Sequence, residues 1–186
     1  MTEVTRRQVI LVTGPARSGK SEWAEALAIE SGKSVIYVAT ANVDSTDLEW
    51  QGRIEQHQNR RPTNWQTLEV PVELGSTIRQ AKDTSCLLID SLGTWVANLL
   101  EQDSTAWENT LKELLTNIEN CVCDAIFVAE ETGWGVVPAY PAGRAFRDRL
   151  GRLTRRIGAI ANPVYLVAGG HVLNLSALGT PLISDR

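Results

Sequence analysis

VILVTGPARSGKSEWAEALAIE, residues 9–30, is the stretch that decides the fold. It opens with a continuous apolar, β-branched run, the composition of a strand covered on both faces of a parallel sheet. Gly14-Pro15-Ala16-Arg17-Ser18-Gly19-Lys20-Ser21 then fits G-x-x-x-x-G-K-[ST], and the helical run SEWAEALAIE follows. A glycine loop between strand and helix turns successive backbone N–H groups toward a phosphate, and the helix dipole beyond it favours negative charge. The two glycines permit a close approach that a side chain would obstruct. Lys20 is placed to reach the β- and γ-phosphates, and the Ser21 hydroxyl to ligate Mg²⁺. The loop alone leaves open ATP or GTP, and kinase or hydrolase.

Outward from this unit, short apolar runs alternate with helical patterns. VIYVAT (35–40) precedes DLEWQGRIEQHQ, and CLLID (86–90) precedes GTWVANLLEQ and a further helix near 106–121. AIFVAE (125–130), a Gly/Pro-rich loop, a long helix across 141–161 and VYLVAG (164–169) complete the series. The alternation predicts an α/β fold: a single three-layer P-loop NTPase domain over residues 1–186, with a mostly parallel sheet flanked by helices. Crossovers should be right-handed, and ligands should gather at the carboxyl ends of the strands.

The bulk numbers agree with a globular enzyme. At 186 residues, 43% hydrophobic and 22% charged, the chain is long enough to bury a real core and too apolar to be disordered. A net charge of −4 argues against a non-specific nucleic-acid binder, and no nucleic-acid partner is expected. No run is long enough to span a membrane, and MTEVTRRQVILVTG reads as a first strand, not a signal peptide. Cys86, Cys121 and Cys123 make an odd number without C-x-x-C spacing, so neither a disulfide framework nor a zinc site is supported. A cytoplasmic location is the expectation.

Other residues carry chemistry outside the loop. Asp90 ends the run CLLID, where an NTPase commonly holds a carboxylate beside Mg²⁺, although a buried strand can also simply end on an acid. His57 lies in GRIEQHQNRRP (52–62), flanked by Gln56 and Gln58 and followed by Arg60, Arg61 and Pro62. An accessible imidazole can attack phosphorus, form a phosphoramidate and pass the group on, with the arginines offsetting phosphate charge. An exposed histidine at a helix end carrying no chemistry is the competing reading. Trp65 could stack on a base and Glu69 could accept from a guanine N1–H and amino group; core packing and a surface charge are their plain alternatives.

Taken in order, GPARSGKSEWAEALA, VIYVAT, RIEQHQNRRPTNWQTLEVP, LLIDSLGTWVANLL and GWGVVP resemble the bifunctional adenosylcobinamide kinase/adenosylcobinamide-phosphate guanylyltransferase family of cobalamin biosynthesis. The block R-I-x-x-H-x-x-x-R-P-x-x-W-x-T-x-E is far more specific than a P-loop, and the resemblance runs from about residue 9 to 170. It implies an enzyme that phosphorylates adenosylcobinamide with ATP or GTP, then transfers GMP from GTP to adenosylcobinamide phosphate. It further implies that His57 becomes guanylylated, with Lys20 as the other catalytic residue. Arg61, Pro62, Thr63, Asn64 and Trp65 would join Glu69, Asp90 and the 14–21 loop in binding nucleotide, with Ser21 and Asp90 on Mg²⁺. A homotrimer or other homo-oligomer is implied as well.

The chain also departs from the family pattern. Glu130-Glu131 stands where Asn-Glu is common, and Pro138-Ala139-Tyr140-Pro141 where Pro-Glu-Asn-Arg is expected. Thr154 replaces an asparagine in Gly151-Arg152-Leu153-Thr154-Arg155. These changes remove a carboxylate, three amides and a guanidinium and add a carboxylate at Glu130, so a guanylyltransferase without the kinase step remains open, as does a small-molecule kinase or ATPase in which His57 is inert. Glu131 is the candidate general base for phosphoryl transfer. In the 141–161 helix, Phe146, Leu150, Leu153 and Ile157 form a core stripe. Its arginines, Arg144, Arg147 and Arg155 on one side and Arg149, Arg152 and Arg156 on another, read mainly as solvated charge.

Overall fold

The computed structural model describes residues 7–42, 52 and 61–182. Arg53, His57 and Arg60 lie outside the described residues. Within them the strands are β1 (Val9–Gly14), β2 (Ser34–Ala39), β3 (Gln66–Glu69), β4 (Ser85–Asp90), β5 (Asp124–Glu130), β6 (Val164–Ala168) and β7 (His171–Asn174). The helices are α1 (Lys20–Glu30), α2 (Leu74–Gln80), α3 (Leu92–Asn98), α4 (Ser104–Asn120), α5 (Pro141–Ile160) and α6 (Leu175–Leu178).

All seven strands belong to one sheet in the order β3-β2-β4-β5-β1-β6-β7. Every pairing is parallel except that of β6 with β7. Alternating side chains divide the core into two layers. Ile10, Val12, Val35, Tyr37, Leu88, Ile126 and Val128 face α1 through Ala24 and Ala28. Leu11, Val38, Leu87, Ile89 and Phe127 face the opposite layer, built from α2, α3, α4 and α5. Helix α4 is amphipathic, burying Leu111, Leu114, Leu115 and Ile118 at the i, i+3, i+4, i+7 spacing. Its first turn is capped by Asp103, which accepts from the Ala106 N–H at 2.8 Å. The expected stripe on α5 is buried at Leu150, Leu153 and Ile157, with Phe146 half-buried against the same core. Cys86, Cys121 and Cys123 are free thiols in the interior.

Several elements lay below the resolution of the sequence pattern. Strand β3 has only four residues and pairs at the edge with β2. Strand β7 turns back on β6 through Gly169 and Gly170, whose φ values of 58° and 76° suit the tight two-residue hairpin turn that glycine permits. The α5 arginines also differ from the expectation of solvated charge. Arg149 donates to the carbonyls of Leu99, Leu100 and Gln102 at 2.5–3.1 Å and lies over the Trp107 ring. It thereby satisfies carbonyls left over where α3 ends. Arg144 donates to Pro138 and Ala139 carbonyls, and Arg147 to that of Gly133, bracing the loop after β5. Arg152 pairs with Glu108 in solvent, as a surface charge should.

This contrast is testable. Arg149→Ala strands three carbonyls and should cost roughly 2–3 kcal/mol in urea unfolding. Arg152→Ala breaks an exposed pair and should cost less than about 1 kcal/mol. Equal effects would mean that Arg149 contributes only a surface charge.

Candidate nucleotide site

Gly14 ends β1 with β5 on one side and β6 on the other, so the phosphate loop leaves the middle of the sheet. Its backbone packs tightly: a Cβ there would lie 2.3 Å from the Val167 carbonyl oxygen and 2.7 Å from Ser18 Oγ. Gly19 (φ 92°) and Arg17 (φ 57°) take the left-handed conformation that curls the loop before α1 begins at Lys20. Lys20 is buried, with Nζ 3.3 Å from the Pro15 carbonyl. Ser18 Oγ is buried and has no hydrogen-bond partner among the described residues. A hydroxyl and an ammonium held on a concave backbone are what a phosphate ligand would satisfy.

The acids are arranged by strand register. Asp90 on β4 and Glu69 on β3 both pair with Ala39 of β2, so they flank one residue at the same level of the carboxyl edge. Glu130 on β5 is in register with Gly14. It accepts from the Gly93 N–H at 2.9 Å, and a Cβ on Gly93 would fall 2.1 Å from Glu130 Oε2. Gly93 therefore opens the room in which this carboxyl is buried. Burial pushes the Glu130 pKa up, against a lowering by its Ser91 hydrogen bond and the Lys20 charge, while the Asp90 charge adds to the rise. Glu131 is fastened to the loop: its N–H donates to the Gly14 carbonyl at 2.9 Å, and its Oε1 accepts from Thr13 Oγ1 at 2.6 Å.

The segment from Arg61 onward reaches the same edge. The Arg61 guanidinium carbon sits 3.3 Å from the centroid of the Tyr37 ring. Tyr37 donates its phenol to Asp90 Oδ2 at 3.0 Å. Burial first, and then the Asp90 charge, raise the Tyr37 pKa far above the phenol range, which keeps it a donor. Trp65 is half-buried against the α1-side core, and its backbone N–H donates to the Pro62 carbonyl. Thr63, Asn64 and Glu69 are exposed. On the far side of Asp90, Thr40, Ser91 and Thr94 bond one another, and Asn98 donates to the Thr40 and Pro71 carbonyls.

The predicted residues thus form one row along the sheet edge, from the 14–21 loop through Asp90 to Arg61 and Glu69; His57 lies outside the described residues. Sequence reasoning missed Tyr37, Thr13 and Gly93. A hydroxyl-bearing aromatic one turn of the pleat before the end of an aliphatic strand was the signal available for Tyr37. The departures have distinct settings. Tyr140 is 80% exposed, whereas Thr154 Oγ1 is buried with no hydrogen-bond partner among the described residues.

A family model for cobinamide kinase / cobinamide phosphate guanyltransferase matches residues 10–175. The chain belongs to this family. A bifunctional adenosylcobalamin biosynthesis protein from Pseudomonas aeruginosa is 40% identical over 174 residues, covering 92% of this chain and 98% of the relative. The corresponding protein from Escherichia coli is 36% identical over 177 residues, covering 87% and 96%. Among solved structures, a Pyrococcus horikoshii protein, PH0250, shares the fold at a TM-score of 0.57 and 7% identity, covering 96% of this chain and 93% of its own. A type III secretion ATPase overlays with a TM-score of 0.52 at 12% identity, covering 92% of this chain but 53% of the ATPase. The family is one of bifunctional enzymes, and the fold is that of P-loop NTPases.

The Glu130 environment has a measurable consequence. A carboxyl whose pKa is raised in the folded state from its ordinary 4.5 binds more protons folded than unfolded. Its stabilising contribution is complete below that value and is lost as pH rises through the folded-state pKa. Glu130→Gln keeps an acceptor for the Gly93 N–H without the charge. Relative to the parent, its unfolding free energy should therefore increase as pH rises above 4.5. A pH-independent difference would show that Glu130 is solvated.

Proposed function

We infer that the protein phosphorylates adenosylcobinamide with ATP or GTP, then transfers GMP from GTP through a guanylyl-His57 intermediate to adenosylcobinamide phosphate, giving adenosylcobinamide-GDP. The observation that carries this reading is the Arg61–Tyr37–Asp90 contact. It ties the R-P-x-x-W end of the histidine block to the carboxylate edge beside the phosphate loop. Family membership over residues 10–175 supports the substrates.

In the first reaction the acceptor hydroxyl attacks the γ-phosphorus, the bond to the β-bridging oxygen breaks, and ADP or GDP leaves. Glu131, fixed by Thr13 beside Gly14, is the candidate to take the hydroxyl proton. In the second, an imidazole nitrogen of His57 attacks the α-phosphorus of GTP and pyrophosphate leaves. A phosphate oxygen of the acceptor then attacks the same phosphorus, the P–N bond breaks and His57 is returned. Lys20 and the loop amides hold the phosphates in both steps, and positioning with charge neutralisation provides most of the acceleration.

The donor set fits Mg²⁺. Ser21 and Asp90 offer hard oxygen ligands, and no group of three or more His, Cys, Asp or Glu that could hold a metal occurs among the described residues. A magnesium ion would therefore be shared with the nucleotide's own phosphates, whose charge it offsets when bound. Arg61, Pro62, Thr63, Asn64, Trp65 and Glu69 complete the nucleotide contacts in this reading. Exposed Leu173, Leu175, Leu178 and Leu182 along the β7–α6 end support a homo-oligomer, a trimer by family resemblance. No helix among the described residues is long and apolar enough to cross a membrane.

Incubation with α-labelled GTP should leave an acid-labile, alkali-stable label on the protein, absent from His57→Ala. Label that survives this substitution removes His57 from the mechanism. Lys20→Ala should lower both activities by roughly 10²–10³-fold. The polar groups lost at 138–141 favour one second reading, guanylyl transfer alone. Conversion of adenosylcobinamide phosphate but not adenosylcobinamide would establish it.

A further inference from the structure

We propose that Tyr37 is a positioning residue serving both ends of the nucleotide site: its ring seats the Arg61 guanidinium, and its hydroxyl orients the Asp90 carboxylate. The inference rests on the nucleotide-binding reading above and gives a role to a residue to which the motifs assign none.

Tyr37 is only 3% exposed, in a strand whose other inward residues on that face are aliphatic. A tyrosine there brings a hydroxyl that must find a partner, which phenylalanine would not. The partner is Asp90, at 3.0 Å, on the neighbouring strand. Register explains why: Tyr37 pairs with Leu88, and Asp90 lies two residues further along β4, on the same face. The phenol reaches along the pleat to the carboxylate and leaves the other carboxylate oxygen uncommitted to Tyr37. A ligand carboxylate held in this way by a neighbour keeps its orientation.

The opposite face of the contact concerns Arg61. Its guanidinium carbon lies over the ring, 3.3 Å from the centroid, and its Nε is buried without a hydrogen-bond partner among the described residues. The planar cation is thus located by the π-face of Tyr37, a contact suited to guanidinium and available only if the ring is there. One rigid side chain thus contacts an anion through its hydroxyl and a cation through its ring. Substituting the hydroxyl and the ring separately resolves the two roles.

The experiment is calorimetric binding of the α,β-methylene analogue of GTP, which cannot transfer GMP, to the full chain over a Mg²⁺ series. Tyr37→Phe retains the ring and should raise the Mg²⁺ concentration for half-maximal binding roughly three- to tenfold, with affinity at saturating Mg²⁺ within about twofold of the parent. Tyr37→Leu should in addition weaken binding at saturating Mg²⁺ by about tenfold, as should Arg61→Ala. The double variant should be no weaker than either single one, because both remove the same contact. An unchanged Mg²⁺ midpoint in Tyr37→Phe overturns the role toward Asp90. Multiplying effects of Tyr37→Leu and Arg61→Ala overturn the role toward Arg61. If Tyr37→Leu fails to fold, Tyr37→Met, which fills more of the volume without an aromatic face, and Arg61→Lys, which keeps the charge without the planar face, make the same cycle. A parent protein that binds no GTP analogue at any Mg²⁺ concentration refutes the nucleotide reading itself, a result distinct from variants that merely match a binding parent.

Discussion

The placement of β1 between β5 and β6 is the constraint on which the site depends. Parallel pairing on both sides fixes Gly14 in the middle of the sheet, in register with Glu130. The loop that follows has no freedom to back away, because Gly14 already lies against the Val167 carbonyl more closely than any Cβ would allow. Glu131 then bonds back to the Gly14 carbonyl, so the exit of β5 and the entrance of the loop move as one unit. A phosphate site built from backbone amides needs this rigidity, since amides aimed a fraction of an ångström wrong gain little from a phosphate.

The same register creates an electrostatic problem that the chain solves locally. Bringing Glu130 beside Gly14 places a carboxyl in the interior near Asp90, where like charge and burial both disfavour ionisation. Lys20, the Ser91 hydroxyl and the Gly93 N–H offset this. The family pattern commonly has an amide at this position, which would accept from Gly93 without the charge. Glu130 therefore gives this chain a titratable group close to the phosphate loop where an asparagine would supply only a hydrogen-bonding one. Its charge state will respond to whatever anion or cation enters the site.

How much of this was legible in the sequence follows from the range of each interaction. The 14–21 loop, the long apolar strands and the α5 stripe are local patterns, and they appear where the residues indicate. Asp90 could be assigned to the ligand edge because it ends an unbroken apolar run. Strand β3 could not be read, because four residues of an edge strand carry no period distinguishable from a loop, and its evidence is the β2 backbone it pairs with. Arg149 looked like one more cation on a polar helix face. Its role is defined by carbonyls about fifty residues earlier in the chain. Tyr37 was hidden for the same reason: its partners are Asp90 on the next strand and Arg61 ahead of β3, and no short sequence window contains all three.

In the function proposed, two reactions on one phosphate loop would impose a geometric requirement. Phosphoryl transfer needs attack at the γ-phosphorus, guanylyl transfer needs attack at the α-phosphorus, and two bridging oxygens separate these atoms along the triphosphate. A loop as fixed as residues 14–21 cannot slide to offer each phosphorus in turn to one nucleophile. The economical solution is two approaches to a stationary nucleotide. Glu131, bonded to Thr13 and Gly14, belongs to the rigid loop side. Arg61, seated on Tyr37 and four residues after His57, belongs to the strand-edge side beyond Asp90. In that reading Asp90 and the Tyr37 phenol stand between the two approaches. Their hydrogen bond is therefore where a change made for one reaction would be felt by the other.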